Sequence, residues 1–170
     1  MTVFANNHDE RQRLDLRLLQ NGAVHLYFRP SVLSEDVEWL KDHGYQLDHF
    51  ACSEWSTQDE MHRDFAARLD FPDYYGKNLD ALNDCLTEIK VSNSGRVFVF
   101  HRYDLFTTVH PEAACGILDT IQINSWLHLL YGQRLFALVQ SDDPSIEFPP
   151  LGCRPAMWNP REWLQQNRSK

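Results

Sequence analysis

No apolar run in this 170-residue chain is long enough to cross a bilayer, which takes about 20 residues. The strongest, Ala23 to Phe28, is short and contains His25. The start, Met1 to Arg17, holds Asp9, Glu10 and three arginines but no apolar signal core, so the protein is expected to stay in the cytoplasm. Positive charge is also scarce. Sixteen Lys and Arg stand against 24 Asp and Glu, a formal charge of −8. A phosphate backbone would repel such a chain, which argues against direct nucleic-acid binding and leaves a basic partner open.

Motifs of chemistry are missing as well. Cys52, Cys85, Cys115 and Cys153 lie 33, 30 and 38 residues apart with no CxxC pair, so separate thiols packed as small hydrophobes are expected. The eight histidines (His8, His25, His43, His49, His62, His101, His110, His128) form no HExxH or facing i,i+4 pair. Neither a GxSxG elbow nor a glycine-rich phosphate loop occurs. No metal, cofactor or catalytic residue is therefore expected.

What the chain does have is 43% hydrophobic and 12% aromatic residues, enough for one real core. Residues 1–22 are polar apart from Leu14, Leu16, Leu18 and Leu19, and suit a weakly helical lead-in. Ala23–Phe28 reads as a strand, Ser34-Glu35-Asp36-Val37 as a capped helix start with an acidic first turn, and Gly44 as its stop. Tyr45–Cys52 follows as a second strand, completing a β-α-β unit that favours parallel pairing. Thr57-x-x-Glu60 is a capping box, and Met61, Phe65 and Leu69 give its helix one buried face that Pro72 limits. Asn78 caps a helix running to about Ile89, and Arg96–His101 is a short apolar run of the buried parallel type. Pro111-Glu112 opens a longer helix with the stripe Ala114, Ile117, Leu118 and Ile121, stopped by Gly132. Leu135–Val139 is the last strand expected. Prolines from Pro144 to Pro160 confine the tail to the surface, and Trp55, Trp126, Trp158 and Trp163 are expected to anchor core and tail.

The helix after Asn78 divides cleanly around its axis. Leu79, Leu82, Leu86 and Ile89 share one face, with Ala81 and Cys85 at its edge, while Asp80, Asn83, Asp84, Thr87 and Glu88 share the other. Three of these acids stand at i, i+4 and i+8, a spacing that costs about 0.2–0.5 kcal/mol per like pair. Residues 57–88 hold eight acids against three bases, leaving −5, most of the chain's excess. By composition alone such a face is more often simple solvation than a binding surface. Asp80 and Asp84, one turn apart, could also form the acid–base pair of a hydrolase, but no partner groups for it can be picked out.

The run Phe71-Pro72-Asp73-Tyr74-Tyr75-Gly76-Lys77-Asn78-Leu79-Asp80-Ala81-Leu82-Asn83-Asp84-Cys85-Leu86 closely resembles the signature of the barstar family of intracellular ribonuclease inhibitors. The order of the following elements agrees with that family from about Tyr45 to Gln140. The resemblance implies an α/β fold: a small, mainly parallel sheet with three core strands, joined by a fourth from an N-terminal β-α extension, packed with helices. It implies a division into an extension (1–44) integrated with the sheet, a core (45–140) and a Pro/Trp-containing tail (141–170). It further implies an immunity-type protein that occludes a basic secreted or toxin ribonuclease, its carboxylates standing in for RNA phosphates. By position, Tyr74 and Gly76 would be loop contacts, Asn78 and Leu79 the helix start, and Asp80 would face the basic cleft. Asp84 would be the central anchor, with Asn83 within the contact and Thr87 and Glu88 at its margin. Three positions depart from the family pattern: Asn83 replaces a tryptophan, Lys77 replaces an acid, and Ser125–Leu129 lacks the last-helix glutamate. The alternative is a barstar-fold interaction module that binds another basic protein without inhibiting a nuclease.

Overall fold

The computed structural model describes residues 13–168. Most of the expected N-terminal lead-in, residues 1–12, lies outside the described residues. Along the rest the order is α1 (Leu14–Leu19), β1 (Val24–Tyr27), α2 (Pro30–Asp42), β2 (Gln46–Ala51), α3 (Gln58–Leu69) and α4 (Leu79–Glu88). Then come β3 (Arg96–His101), α5 (Tyr103–Val109), α6 (Pro111–Leu130), β4 (Leu135–Gln140) and β5 (Met157–Trp158). The five strands form one sheet in the order β2-β3-β4-β1-β5, every neighbouring pair parallel.

Both faces of this sheet are covered, which is why β3 and β4 read as continuous apolar runs rather than alternating ones. Period-2 alternation sends Phe98 and Phe100 of β3, with Ala137 and Val139 of β4, into a core shared with α3, α4, α5 and α6. Val97, Val99, Phe136 and Leu138 point the other way, against Leu18 of α1 and Leu33 and Leu40 of α2. The edge strand β2 is the polar one, with Gln46 and His49 exposed.

The helix signals at α3 and α4 are realised in full. Thr57 accepts from Glu60 N–H while Glu60 accepts from Thr57 N–H at 2.9 Å, and Met61, Phe65 and Leu69 are buried. Asn78 caps α4 through Ala81 N–H at 2.8 Å.

Several expectations need correction. The second helix starts at Pro30, four residues before Ser34, because proline's fixed φ suits the first helical position. Asp36 is therefore not a first-turn acid; it accepts from Tyr27 Oη at 2.7 Å and from Arg161 at 2.6 Å. β1 and β2 run parallel but do not touch, since β3 and β4 lie between them. The sheet has a fifth strand, contributed by the tail, and the helix α5 has no counterpart in the sequence reading. The tail does not simply wrap the surface: Leu151, Asn159 and Glu162 are buried. Trp158 is half-buried under the Arg168 guanidinium, 4.2 Å from its ring centroid. Trp55 is a core residue, but Trp126 and Trp163 are exposed and anchor neither core nor tail.

Candidate functional site

The loop between α3 and α4 is held from inside. Asp70 ends α3 in the left-handed region (φ 55°), and Phe71 N–H returns to Ala66 O at 3.0 Å. Tyr75 turns inward against Phe71, ring centroids 4.9 Å apart, and its hydroxyl lies 2.6 Å from His62 Nδ1. Burial pushes the Tyr75 phenol up and the His62 imidazole down, so the two share this hydrogen bond as neutral groups. Tyr74, next in sequence, is 86% exposed. Lys77 takes a left-handed φ of 49°, and its ammonium lies 3.4 Å from Asp59. Asn78, besides capping α4, donates to Gly76 O at 3.3 Å, so its amide is already committed to shaping the turn.

Helix α4 is seated on α6 through contacts at Gly116, Asn124 and His128. A Cβ built on Gly116 would collide with Leu79, so glycine allows the close approach there. Further along, buried Asn124 donates to Asn83 Oδ1 and accepts from Thr87 Oγ1, both at 2.9 Å. His128 Nε2 meets Leu86 O at 2.8 Å, satisfying one of the carbonyls left open at the helix end. Leu82 and Leu86 are fully buried, and Leu79 is half-buried. Asn83 and Thr87 therefore lie on a polar seam between two helices, whereas Asp80, Asp84 and Glu88 form the exposed ridge beside it.

Pairing within the region locates its negative charge. Arg63 and Lys77 both lie against Asp59, Arg68 pairs with Asp64 at 2.6 Å, and Glu60 is used in the capping box. These groups cancel one another. The five net charges between residues 57 and 88 then reduce to Asp70, Asp73, Asp80, Asp84 and Glu88, none of which makes an ion pair among the described residues. They follow the loop and the outer face of α4. Asp84 and Glu88 border an open groove of about 880 Å³ that Arg68, Tyr74 and Lys90 also line and to which α6 contributes no residue. Among the described residues no three His, Cys, Asp or Glu side chains converge as metal ligands.

Of the sequence-derived site residues, Tyr74, Gly76, Asn78, Asp80, Asp84, Thr87 and Glu88 are exposed on one continuous surface, and Leu79 and Asn83 sit half-buried at its α6 edge. The residues that position them, His62, Gly116, Asn124 and His128, were not singled out. A signal existed: Thr120, Asn124 and His128 place a polar group at every fourth residue of α6.

The family model described as "Barstar (barnase inhibitor)" matches residues 45–129, half of the chain. A curated protein of Bacillus subtilis (strain 168) named "Putative ribonuclease inhibitor YrdF" is 70% identical over 27 residues, 16% of this chain. The match covers 30% of that relative's length.

Proposed function

The chain belongs to the barstar family, and on that premise we propose that it inhibits a basic ribonuclease by seating its Tyr74–Asn78 loop and α4 in the nuclease's substrate cleft. The observation that carries this reading is the row of unpaired acids. Asp80, Asp84 and Glu88 repel one another along one helix face, and nothing in the described residues compensates Asp84 or Glu88. A cationic cleft would relieve that repulsion on contact.

In this reading Asp84 is the central anchor, offering both oxygens to arginines that otherwise hold a phosphate. Asp80, one turn earlier, faces the same cleft, and Glu88 lies at the margin with Thr87. Tyr74 and Gly76 make loop contacts. Asn78 and Leu79 fix the direction of the helix start, and Asn83 lies on the contact's α6 side. Inhibition is steric occlusion combined with electrostatic mimicry of RNA; association is fast and weakens with salt. The protein needs no cofactor, turns over no substrate, and acts as an immunity protein in the cytoplasm of the cell that makes or meets the nuclease.

The test is inhibition of RNA cleavage by purified basic bacterial ribonucleases, barnase among them, at low and high salt. Asp84→Ala is expected to weaken inhibition at least ~30-fold, the size of an interface hot spot of about 2 kcal/mol. Asp80→Ala is expected to act mainly at low salt. If neither substitution changes inhibition, the docking face lies elsewhere.

One observation favours a second reading. Asn83 is tied to Asn124 where the family pattern has tryptophan, which removes a large apolar contact from α4. A barstar-fold module that binds another basic protein would show tight binding to that protein and no effect on any ribonuclease tested.

A further inference from the structure

The last three turns of α6 have an unusual surface. From Thr120 to Tyr131 the helix carries no Asp, Glu, Lys or Arg. Ile123, Trp126, Leu127, Leu130 and Tyr131 are exposed at i, i+3, i+4, i+7 and i+8, the spacing of a single helical stripe. Leu130 is 77% and Tyr131 83% exposed. A solvent-facing helix of a soluble domain normally keeps this stripe for its core.

The position of this stripe says what covers it. Gly116 faces Leu79 of α4, and Ile123 and Leu130 follow it at seven-residue intervals, nearly the same side of the helix. Leu127 lies between them, next to Asn124 and His128, which bond to α4. The apolar stripe and the acidic ridge of α4 are thus neighbours across the Asn83–Asn124–Thr87 seam. Packed helix axes lie about 8–10 Å apart. A stable protein contact covers about 800 Å² of each partner, a disc of roughly 16 Å radius. Any protein centred on Asp84 at that size must also lie over the α6 stripe. It meets there Ile123, Leu127, Leu130 and Tyr131, with Trp126 on the far flank of α6 beside Arg154.

We infer that the exposed stripe of α6 is the second half of the ribonuclease contact, covered by an apolar collar beside the nuclease's basic cleft. This rests on the reading of α4 as the docking helix. The two ridges have separate duties: the α4 acids steer association, and the α6 stripe supplies the dry contact that sets residence time. It also supplies, from a neighbouring helix, the apolar anchor that Asn83 does not provide on α4. Partner choice follows, since a nuclease with a charged rim at that place would bury an unpaired charge and bind poorly.

The test measures association and dissociation separately, using as probe the ribonuclease most strongly inhibited in the panel above. Leu127→Ser with Leu130→Ser is expected to raise the dissociation rate about tenfold or more, equally at low and high salt. Asp84→Ala is expected to carry an additional salt-dependent loss of association rate. Leu130→Ser alone, at a highly exposed position, guards against misfolding of the double variant and is expected to show part of the same effect. If Asp84→Ala weakens binding and both stripe variants leave dissociation unchanged, the stripe is not part of the contact although α4 is. If the stripe variants dissociate a dimer of the free protein without altering inhibition, the occupant is a second copy and the inference fails. If neither helix matters, the docking reading fails with it.

Discussion

Glu162 is wholly buried and accepts from four donors: Phe28 N–H, Arg29 N–H, Arg29 Nε and Asn159 Nδ2. Asp84 is exposed and has no ion-pair or hydrogen-bond partner among the described residues. The same contrast holds between two regions. On the side of α1, α2 and the tail, Asp15 receives Arg13 and Tyr45, and Asp36 receives Tyr27 and Arg161. On the α4 side Asp80, Asp84 and Glu88 stand alone. Acids in the first region are structural because burying a carboxylate is tolerable only when its lone pairs are filled. Acids in the second cost little to fold with and make no ion pair among the described residues.

The sharpest way to break this contrast is Glu162→Ala, which strands two backbone donors and Arg29. It is expected to cost about 3–5 kcal/mol in equilibrium denaturation. A loss below about 1 kcal/mol would mean that the tail is not held by this carboxylate.

A slightly smaller effect tests the buried side through pH. Burial pushes the His25 imidazole down to about 4, despite its bond to Gly22 O. Its folded pKa lies below the ordinary 6.5, so its stabilising contribution is present above 6.5 and is lost as pH falls toward 4. The expected loss is about 3 kcal/mol, and His25→Gln should remove most of that slope. Asp15 adds to acid sensitivity at lower pH: burial would raise it, but the hydrogen bonds from Arg13 and Tyr45 prevail and hold it below its ordinary value. A stability curve flat from pH 7 to 4 would contradict the assignment.

The smallest effect is the most discriminating. Asp84→Asn relieves repulsion from Asp80 and Glu88 and is expected to stabilise the free protein by about 0.2–0.5 kcal/mol per pair relieved, while weakening its inhibition. Opposite signs for stability and binding in one variant separate a docking acid from a structural one. A destabilisation of 1 kcal/mol or more would place Asp84 with Glu162.

Where a local signal was complete, the sequence was enough to place an element. Thr57 with Glu60, Asn78, and the Val97–Phe100 run each gave start, type and burial because capping and two-sided apolarity are short-range properties. Helix α5 escaped because it is seven residues long and enters through Arg102 in a left-handed conformation (φ 56°) with no side-chain cap. β5 escaped because two residues among prolines carry no period. The exposed stripe of α6 was hidden for a different reason: polar residues such as Glu112, Asp119, Gln122, Asn124 and Ser125 are scattered around the helix, so periodicity could not say which side faces solvent. The acidic line was legible, but its isolation was not. That depended on Arg63, Arg68 and Lys77 all being taken by Asp59 and Asp64, a matter of tertiary and helical neighbours rather than of counting.

The pairing of β1 with β4, Val24 opposite Ala137, sets an order on the birth of the molecule. β1, the first strand among the described residues, has its partner 113 residues further along the chain. Its other neighbour, β5, comes later still. The stretch carrying the acidic helix, by contrast, has β2 beside β3 soon after synthesis, with Gln46 opposite Arg96. Pairing across so long a stretch carries the larger loop-closure cost, so β1 is expected to dock between β4 and β5 after β2 and β3 have paired.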